Sequence, residues 1–375
     1  LQYSVPSHGV GGSFELRPPM PQGIELRLGA DSRCTTGESR EFFSYVDGNP
    51  TRRRAAGGES WTVGAYVEAS GDLGWAMLTG GARMDHWSIG KGHLFEQTIA
   101  TGAVLTDDRD PSRSGWLPTA RGGISAPVGG GLSLRSAGYL GWRMPTLNEL
   151  FRPFRAGSDA TAANPNLDPE RLAGIEAGLD YARGPLTAKI TAFANRLKDA
   201  IANVTTGHGP GVFPGVGFVG AGGTFFTREN VDAVRVRGIE ASADWTDGPW
   251  SINAGASFTH ARMNGSGAAK FLDGLRPAQT PKFAGTLAVG WQQDGKGAQL
   301  VLRRIGAQFD DDLNIDVLRG ATTLDAYAAW PLTHRLQLTA RAENLTNALM
   351  MAGINGDDSI ERATPRTLWI GLRLR

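Results

Sequence analysis

Residues 141–170 have the sequence GWRMPTLNELFRPFRAGSDATAANPNLDPE. They separate two segments of alternating polarity, residues 132–142 and 171–181. The stretch is too long, and too rich in proline and asparagine, to be a tight hairpin turn. It is therefore predicted to be a long loop that joins two β-strands.

Alternation of apolar and polar side chains recurs along the chain. Near the C-terminus, Leu336, Leu338, Ala340 and Ala342 alternate with Gln337, Thr339, Arg341 and Glu343. The same pattern begins at Ile24, Trp61, Leu186, Ile252 and Leu368. A period of two residues is typical of a β-strand whose two faces meet different surroundings. Because no segment shows a convincing helical period, the fold is predicted to be all-β.

Short and long connections alternate between the predicted strands. Short turns rich in Gly, Pro and Asp are predicted at 18–23, 70–72, 127–131, 182–185, 246–249, 292–297 and 330–333. Long connections are predicted at 31–60, 87–115, 144–170, 202–233, 261–280, 307–320 and 344–366. An antiparallel meander then has all its short turns at one end and all its long loops at the other, as outer-membrane β-barrels do.

These connections join about fifteen strands, whereas bacterial single-chain barrels have an even number. Either a hairpin around residues 94–106 escapes detection, or strands that precede Leu1 are missing. We expect the second.

Composition excludes several other classes. The 38 basic and 37 acidic residues give a net charge of +1, so the basic face that nucleic-acid binding requires is not expected. The mean hydropathy is −0.24 and no run of about 18 apolar residues occurs, which excludes a transmembrane helix. Alternating strands average out in such a profile, so a transmembrane barrel remains compatible with it. The single cysteine, Cys34, excludes an intrachain disulfide.

Several motifs follow one another in an order that resembles the TonB-dependent outer-membrane receptors. Arg143, Pro145 and Thr146 enter the long loop, and Asn164-Pro165-Asn166-Leu167-Asp168-Pro169-Glu170 leaves it. RVRGIE at 235–240, ENLTN at 343–347 and TPR at 364–366 follow in the same order. The resemblance covers residues 61–375 and is strongest after Gly141.

The resemblance implies an antiparallel transmembrane β-barrel in the outer membrane of a Gram-negative bacterium. Family barrels have roughly 22 strands around a plugged lumen. Residues 1–375 would then be a partial barrel domain, with the N-terminal plug domain and the first strands missing. The resemblance also implies uptake of a scarce ligand that is energised by TonB, which would be contacted through the missing N-terminal region. It implies no enzymatic step and no cofactor.

The ligand class implied by the resemblance is a ferric siderophore, and cobalamin, heme or an oligosaccharide stay open. Arginines and aromatic residues on the predicted long loops are the candidate ligand-binding residues, because they can grip an anionic, aromatic chelate through hydrogen bonds and stacking. They are Phe42, Phe43, Tyr45, Arg52 and Arg53 in the run 52–54, Arg152, Phe154, Arg155, Phe225 and Phe226. Alternatively, these arginines bind lipopolysaccharide phosphate or are solvated.

Two sets of charges have other predicted roles. One set points from the strands into the lumen, where the polar wall is expected to dock the plug; it comprises Arg135, Glu176, Asp180, Lys189, Glu240, Asp244, Arg303 and Arg341. The other is Asp310–Asp312 with Asn314 and Asp316, which is either a site for a loop cation such as calcium or a solvated acidic loop. The six histidines are scattered, and no catalytic or local metal-binding cluster is predicted.

Two other classes of protein fit the sequence less well than the receptor. A passive porin-like channel would lack the plug and the loop that ends in Pro169-Glu170. A soluble β-propeller or lectin-like protein would have connections of uniform length, which the alternation contradicts. The expected partners are therefore TonB, a siderophore or similar small ligand, and outer-membrane lipid and lipopolysaccharide.

Overall fold

The computed structural model describes residues 1–355 and 359–374. The main sheet has 19 strands, four of them short. Fifteen strands follow one another across it: β1 (Ser7–Leu16), β2 (Ile24–Val46), β3 (Asn49–Asp72), β4 (Met77–Thr98), β5 (Arg113–Gly129), β6 (Leu132–Arg143), β7 (Glu170–Arg183), β8 (Leu186–His208), β9 (Thr224–Asp247), β10 (Trp250–Asn264), β11 (Phe283–Gln293), β12 (Lys296–Ile305), β13 (Ala321–Pro331), β14 (Leu336–Glu343) and β15 (Thr367–Leu374).

Each of these strands pairs antiparallel with the next along the chain. The predictions of an all-β antiparallel fold and of about fifteen strands are confirmed. Within residues 1–355 and 359–374, β1 and β15 each have a main-sheet neighbour on one edge only, so the sheet does not close. None of the helices described there is long and apolar enough to cross a membrane.

The alternation of short and long connections is confirmed except between β2 and β3, which only residues 47–48 separate. The short ones are 17–23, 73–76, 130–131, 184–185, 248–249, 294–295 and 332–335. In two of them the backbone requires positive φ at both turn residues: Gly130 and Gly131 have φ of 63° and 84°, and Asp294 and Gly295 have 51° and 77°. This is the type I′ geometry that matches the twist of a two-residue hairpin.

Three predicted long loops, 31–60, 87–115 and 202–233, are wrong as loops because strands continue through most of them. Only residues 47–48 separate β2 from β3, and β8 and β9 run to His208 and from Thr224. Their outer parts meet water or other loops on both faces, so the apolar–polar alternation that marks the inner parts lapses.

The region 94–106 does contain a hairpin. A short strand, Val104–Arg109, pairs with the end of β4 through contacts such as Glu96 with Thr106. It pairs with the outer end of β4, where β4 no longer contacts β5, and so is not one of the fifteen successive strands.

The remaining long connections carry short elements. The connection from β6 to β7 holds the helix α1 (Leu147–Phe151) and the strands Phe154–Ala156 and Asp159–Ala162. The others contain Gly211–Phe213 with Gly217–Val219, the 3-10 helix Gly267–Leu272, Gln308–Phe309 with Val317–Leu318, and Met351–Ile354 with Ile360–Arg362. Near the N-terminus, Gln2–Ser4 pairs with β2.

The strand register gives the main sheet one polar and one apolar face. Asp180 lies opposite Lys189, and Thr191 lies opposite Glu240, whereas Leu179 lies opposite Ile190 on the other face. Opposed residues share a face, and faces alternate along each strand. The register accordingly places all eight predicted lumen charges on the polar face.

The packed core lies at the long-connection end. Its three clusters of buried apolar side chains all include residues of the long connections or of the outer ends of the strands. At the opposite end, Trp245, Trp250, Trp291 and Trp330 lie beside the short turns, with Trp250 directly opposite Trp291. This is where an interfacial aromatic girdle is expected.

Candidate ligand-binding site at the long-connection end

Helix α1 begins with a capping box. The Thr146 hydroxyl accepts a hydrogen bond from the Glu149 amide at 3.2 Å, and the Glu149 carboxylate accepts one from the Thr146 amide at 2.7 Å. A helix this short has little stability of its own, so such caps and tertiary packing fix it. The signal was present in the sequence as Thr-x-x-Glu, although periodicity did not indicate a helix there.

Arg143 joins the two ends of the connection. It donates two hydrogen bonds to Glu149, at 2.9 and 3.1 Å, and another to Glu170 at the start of β7. Burial raises the pKa of Glu149, but hydrogen bonds from Arg143 and Thr146 outweigh it and hold that pKa below its ordinary value. The motif residues at the entry and exit of the connection are therefore one network of hydrogen bonds.

This network predicts a loss of order in acid. The pKa of Glu149 is lower in the folded protein than in the unfolded chain. Its contribution to stability is therefore complete when the pH is above the pKa of the unfolded chain, and it is lost as the pH falls through the pKa of the folded protein. We expect amide exchange across 144–169, corrected for its intrinsic pH dependence, to become faster in that window. In Glu149→Gln the acid-dependent part of this change should disappear; an unchanged pH profile would show that Glu149 is not the responsible group.

The helix anchors the connection by burying two side chains. Leu150 is fully buried and Phe151 is 3% exposed, in a cluster with Trp87, Ile89, Leu117 and Leu167. The Phe151 ring occupies space left by two glycines on β3 and β4: a Cβ added at Gly58 or Gly92 would lie 2.7 or 2.3 Å from it. The connection thus folds back onto the outer ends of β3, β4 and β5.

At the other end of the helix, Arg228 of β9 caps the C-terminal carbonyls. Its Nη1 donates to the carbonyl oxygens of Asn148 and Arg152, at 2.8 and 2.9 Å. Burial lowers the pKa of Arg228. A cation at a helix C-terminus also favours the helix dipole, so β9 helps to hold α1 in place.

Arg54 lies at the centre of the predicted arginine–aromatic region. Its side chain is 3% exposed and donates to Glu96 and to the Pro153 carbonyl oxygen, the latter at 3.1 Å. Its guanidinium carbon lies 4.2 Å from the centre of the Phe43 ring, and Glu41 is 3.8 Å away. One buried cation therefore joins β2, β3, β4 and the connection.

The predicted residues Phe42, Phe43, Arg52 and Arg53 lie on the outer ends of β2 and β3, but on two different faces of the sheet. Phe42 lies opposite Arg53 and Phe43 opposite Arg52, with Tyr45 one step further out. Within residues 1–355 and 359–374, the side chains of Arg52 and Arg53 form no hydrogen bond or ion pair. Their guanidinium groups are therefore not engaged by other described side chains.

The other predicted arginines are engaged within the protein. Arg152 donates to Glu41 at 2.6 Å and lies 5.5 Å from the Phe154 ring. Arg155 donates to the carbonyl oxygens of Val216 and Phe218, at 2.5 and 2.8 Å, and burial lowers its pKa. Arg152 thus joins the connection between β6 and β7 to β2, and Arg155 joins it to the connection between β8 and β9.

The two predicted phenylalanines of β9 separate. Phe225 is 5% exposed and stacks on Phe213 with ring centres 4.5 Å apart, so it belongs to the packed core. Phe226 lines a cavity of about 660 Å³ among the long connections. That volume is within the usual range of roughly 300–1,000 Å³ for small-molecule sites.

The cavity has an apolar side and an acidic side. Leu197, Val234 and Val236 line one side. The other contains carboxylates that sequence analysis grouped together at Asp310–Asp312.

These three carboxylates point to different neighbours. Asp310 accepts from Gln279 and Ile354, Asp311 from the amides of Ile315 and Asp316, and Asp312 from Thr205. Among the described residues, no group of three or more His, Cys, Asp or Glu is placed to hold a metal ion. The acidic side therefore joins the connections to one another and to β8.

Comparison with known proteins identifies the class and then the family. Solved structures that share the fold include the ferric yersiniabactin uptake receptor FyuA from Yersinia pestis, which has a TM-score of 0.73 at 17% identity, covering 99% of this chain and 54% of its own. The copper transporter OprC has the same score and identity, over 99% and 56%. The vitamin B12 transporter BtuB of Photobacterium profundum is 24% identical over 286 residues, 75% of this chain and 40% of BtuB.

A family model described as TonB dependent receptor-like, beta-barrel, matches residues 2–345. The chain belongs to this family, as its motifs predicted. Barrels of the family reside in the outer membrane of Gram-negative bacteria, and the relatives are transporters and receptors rather than enzymes. The chain spans about half the length of the relatives it matches.

Proposed function

We propose that this chain forms part of the wall of a receptor that imports a scarce ligand with energy supplied through TonB. The observation that carries the proposal is a continuous polar sheet face that ends at a cavity lined by the long connections. In this arrangement the cavity receives the ligand outside the cell and the polar face lines its path. Residues 1–375 then supply about fifteen strands of a larger barrel.

We propose a ferric siderophore as the ligand. Ferric yersiniabactin, ferric catecholate and ferric citrate are named for three structures that share the fold, whereas two other relatives are named for copper and vitamin B12. Arg52 shares one face of the sheet with Phe43 and Tyr45, and Arg53 shares the other face with Phe42. Each group offers charge-assisted hydrogen bonds and stacking to an anionic aromatic chelate. Arg152, Phe154, Arg155, Phe225 and Phe226 complete the proposed region, partly by holding it in shape.

The polar face is proposed to dock a plug domain. Arg135 lies 3.2 Å from both Glu176 and Asp180, and all three side chains are half-buried. Hydrated ion pairs of this kind are individually weak. Many weak contacts of this kind, taken together, hold a plug in place and still allow it to move.

Energised uptake is tested with the full-length protein in a strain that has lost its own siderophore receptors. We expect cells expressing the protein to accumulate a radiolabelled ferric siderophore when TonB is present, and accumulation to fall to background in a matched strain without TonB. Passive diffusion does not use TonB, so equal accumulation in both strains would overturn the proposal in favour of the porin-like channel.

The ligand region is tested by binding to the same cells. Arg52→Ala/Arg53→Ala is expected to bind an anionic ferric siderophore at least tenfold more weakly, with vitamin B12 as the uncharged comparison. Arg109→Ala is the control. Arg109 lies in another long connection, on the surface, where it forms an exposed ion pair with Asp107 at 3.5 Å. Tight TonB-dependent uptake of vitamin B12, with no binding of ferric siderophores, would replace the proposed ligand class and leave energised transport intact.

A further inference from the structure

Five basic residues form a cluster on the apolar face of β8, β9 and β10. Arg196 lies directly opposite Arg235, Arg235 lies opposite Arg262, and Arg237 lies opposite His260. They share that face with Ile190, Ile239 and Ile252 in the same strands, because the faces alternate along each strand. We call these five residues the outer basic cluster.

Among the described residues, no acidic side chain forms an ion pair with the arginines of the outer basic cluster. Opposed side chains have Cβ atoms roughly 4.5–5.5 Å apart, and like charges in such positions are destabilising. Across residues 1–355 and 359–374, the side chains of Arg196, Arg235 and Arg237 have no hydrogen bond or ion pair, and the Arg262 side chain donates only to the Ala261 carbonyl oxygen, at 3.5 Å. The repulsion is expected to be relieved by an anion from outside the chain.

The cluster lines a groove that can receive such an anion. The groove has a volume of about 1100 Å³ and includes Ile175 and Ala194 as well as the arginines. The one carboxylate along it, Asp273, is already bonded to Gly265 and Asn264, and these bonds lower its pKa. The groove thus combines unpaired arginines with apolar wall.

The depth of the cluster corresponds to the edge of the membrane. On β10 the apolar face presents Trp250, Ile252, Ala254, Ala256 and Phe258 before the first basic residue. A tilted strand crosses the hydrocarbon with about 9–11 residues, and this stretch has that length. Long loops of outer-membrane barrels are extracellular, so the cluster lies at the headgroups of the outer leaflet.

We infer that the outer basic cluster binds the phosphate groups of lipid A, the membrane anchor of lipopolysaccharide. Arginine forks match phosphate oxygens with paired, charge-assisted hydrogen bonds. The acyl chains of the same molecule would lie along the apolar residues below the cluster. The site depends on location in the outer membrane and not on the ligand or on TonB, so it goes beyond the proposed transport function.

Native mass spectrometry of the full-length protein, purified in detergent and mixed with bisphosphorylated lipid A, tests this site. We expect Arg196→Gln/Arg235→Gln/Arg262→Gln to bind lipid A at least tenfold more weakly than the wild type. Arg304→Gln is the matched control, because Arg304 lies on the same face but outside the cluster, opposite Gly285 and Thr322. Equal binding by the wild type and the triple variant would overturn the proposal.

Further arms of the experiment separate the sources of phosphate and protect against misfolding. We expect monophosphorylated lipid A to bind more weakly, and neither inorganic phosphate nor phosphatidylglycerol at equal concentration to displace lipid A; displacement by either would overturn the assignment to lipid A. Without lipid A, the triple variant should unfold at the same temperature as the wild type or a higher one, since repulsion has been removed. Unfolding at a lower temperature would show that the arginines stabilise the barrel itself, which the proposal excludes.

Discussion

Replacing Arg54 with alanine is expected to lower the free energy of unfolding by about 3–5 kcal/mol, because breaking a buried ion pair leaves an uncompensated charge. The orphaned group is Glu96, which is 8% exposed, and the Pro153 carbonyl oxygen also loses its donor. The effect should be concentrated where Arg54 joins the strands to the connection 144–169. Hydrogen exchange of the full-length protein in detergent, followed peptide by peptide, measures it.

The neighbouring residue supplies the control. Arg53 is exposed and has no hydrogen bond or ion pair among the described residues, so Arg53→Ala should leave exchange unchanged. In Arg54→Ala/Glu96→Ala the second substitution removes the orphaned charge, and the loss should be smaller than in Arg54→Ala alone. If Arg54→Ala exchanges no faster than Arg53→Ala, Arg54 does not hold the connection in place.

Replacing Phe151 with alanine is the second large effect. Deleting a buried phenylalanine side chain typically costs about 3–5 kcal/mol, as lost burial and as a cavity. The walls here are the backbones of Gly58 and Gly92 on paired strands, which cannot collapse easily into the space. We expect α1 to lose its anchor and amide exchange across 144–169 to become at least a hundredfold faster.

Phe154, three residues further along, is the matched control. It is the same residue type in the same connection but is 42% exposed, so Phe154→Ala should alter exchange little. Equal effects of the two substitutions, or none from Phe151→Ala, would mean that α1 is held by its caps rather than by the buried ring.

The inner parts of the strands could be predicted from the sequence because each face of a strand lies in a single environment along its length, so apolar and polar residues alternate. In β10 the apolar residues from Ile252 to Phe258 alternate with small or polar ones, and the structure places the two sets on opposite faces. The turns could be predicted because residues such as Asp294-Gly295 adopt positive φ readily. Local chemistry decides both features.

The outer ends and the site could not be predicted in the same way. Arg152 bonds to Glu41, 111 residues away, and Thr205 bonds to Asp312 across 107 residues. No local pattern records such pairs, so sequence analysis found the arginines and aromatic residues without showing which of them are engaged internally. The buried partner Arg54 was visible only as the last member of an arginine run.

The most direct test of the central claim is an accessibility scan along β10 in membranes. With Cys34 replaced by serine, single cysteines from Ser251 to Phe258 in the full-length protein are spin-labelled and probed with oxygen, which partitions into lipid, and with a water-soluble nickel chelate. We predict lipid accessibility at Ile252, Ala254, Ala256 and Phe258, and lower lipid accessibility at the alternate positions. Uniform accessibility, or the reverse alternation, would contradict a wall with its apolar face toward lipid and its polar face toward the lumen.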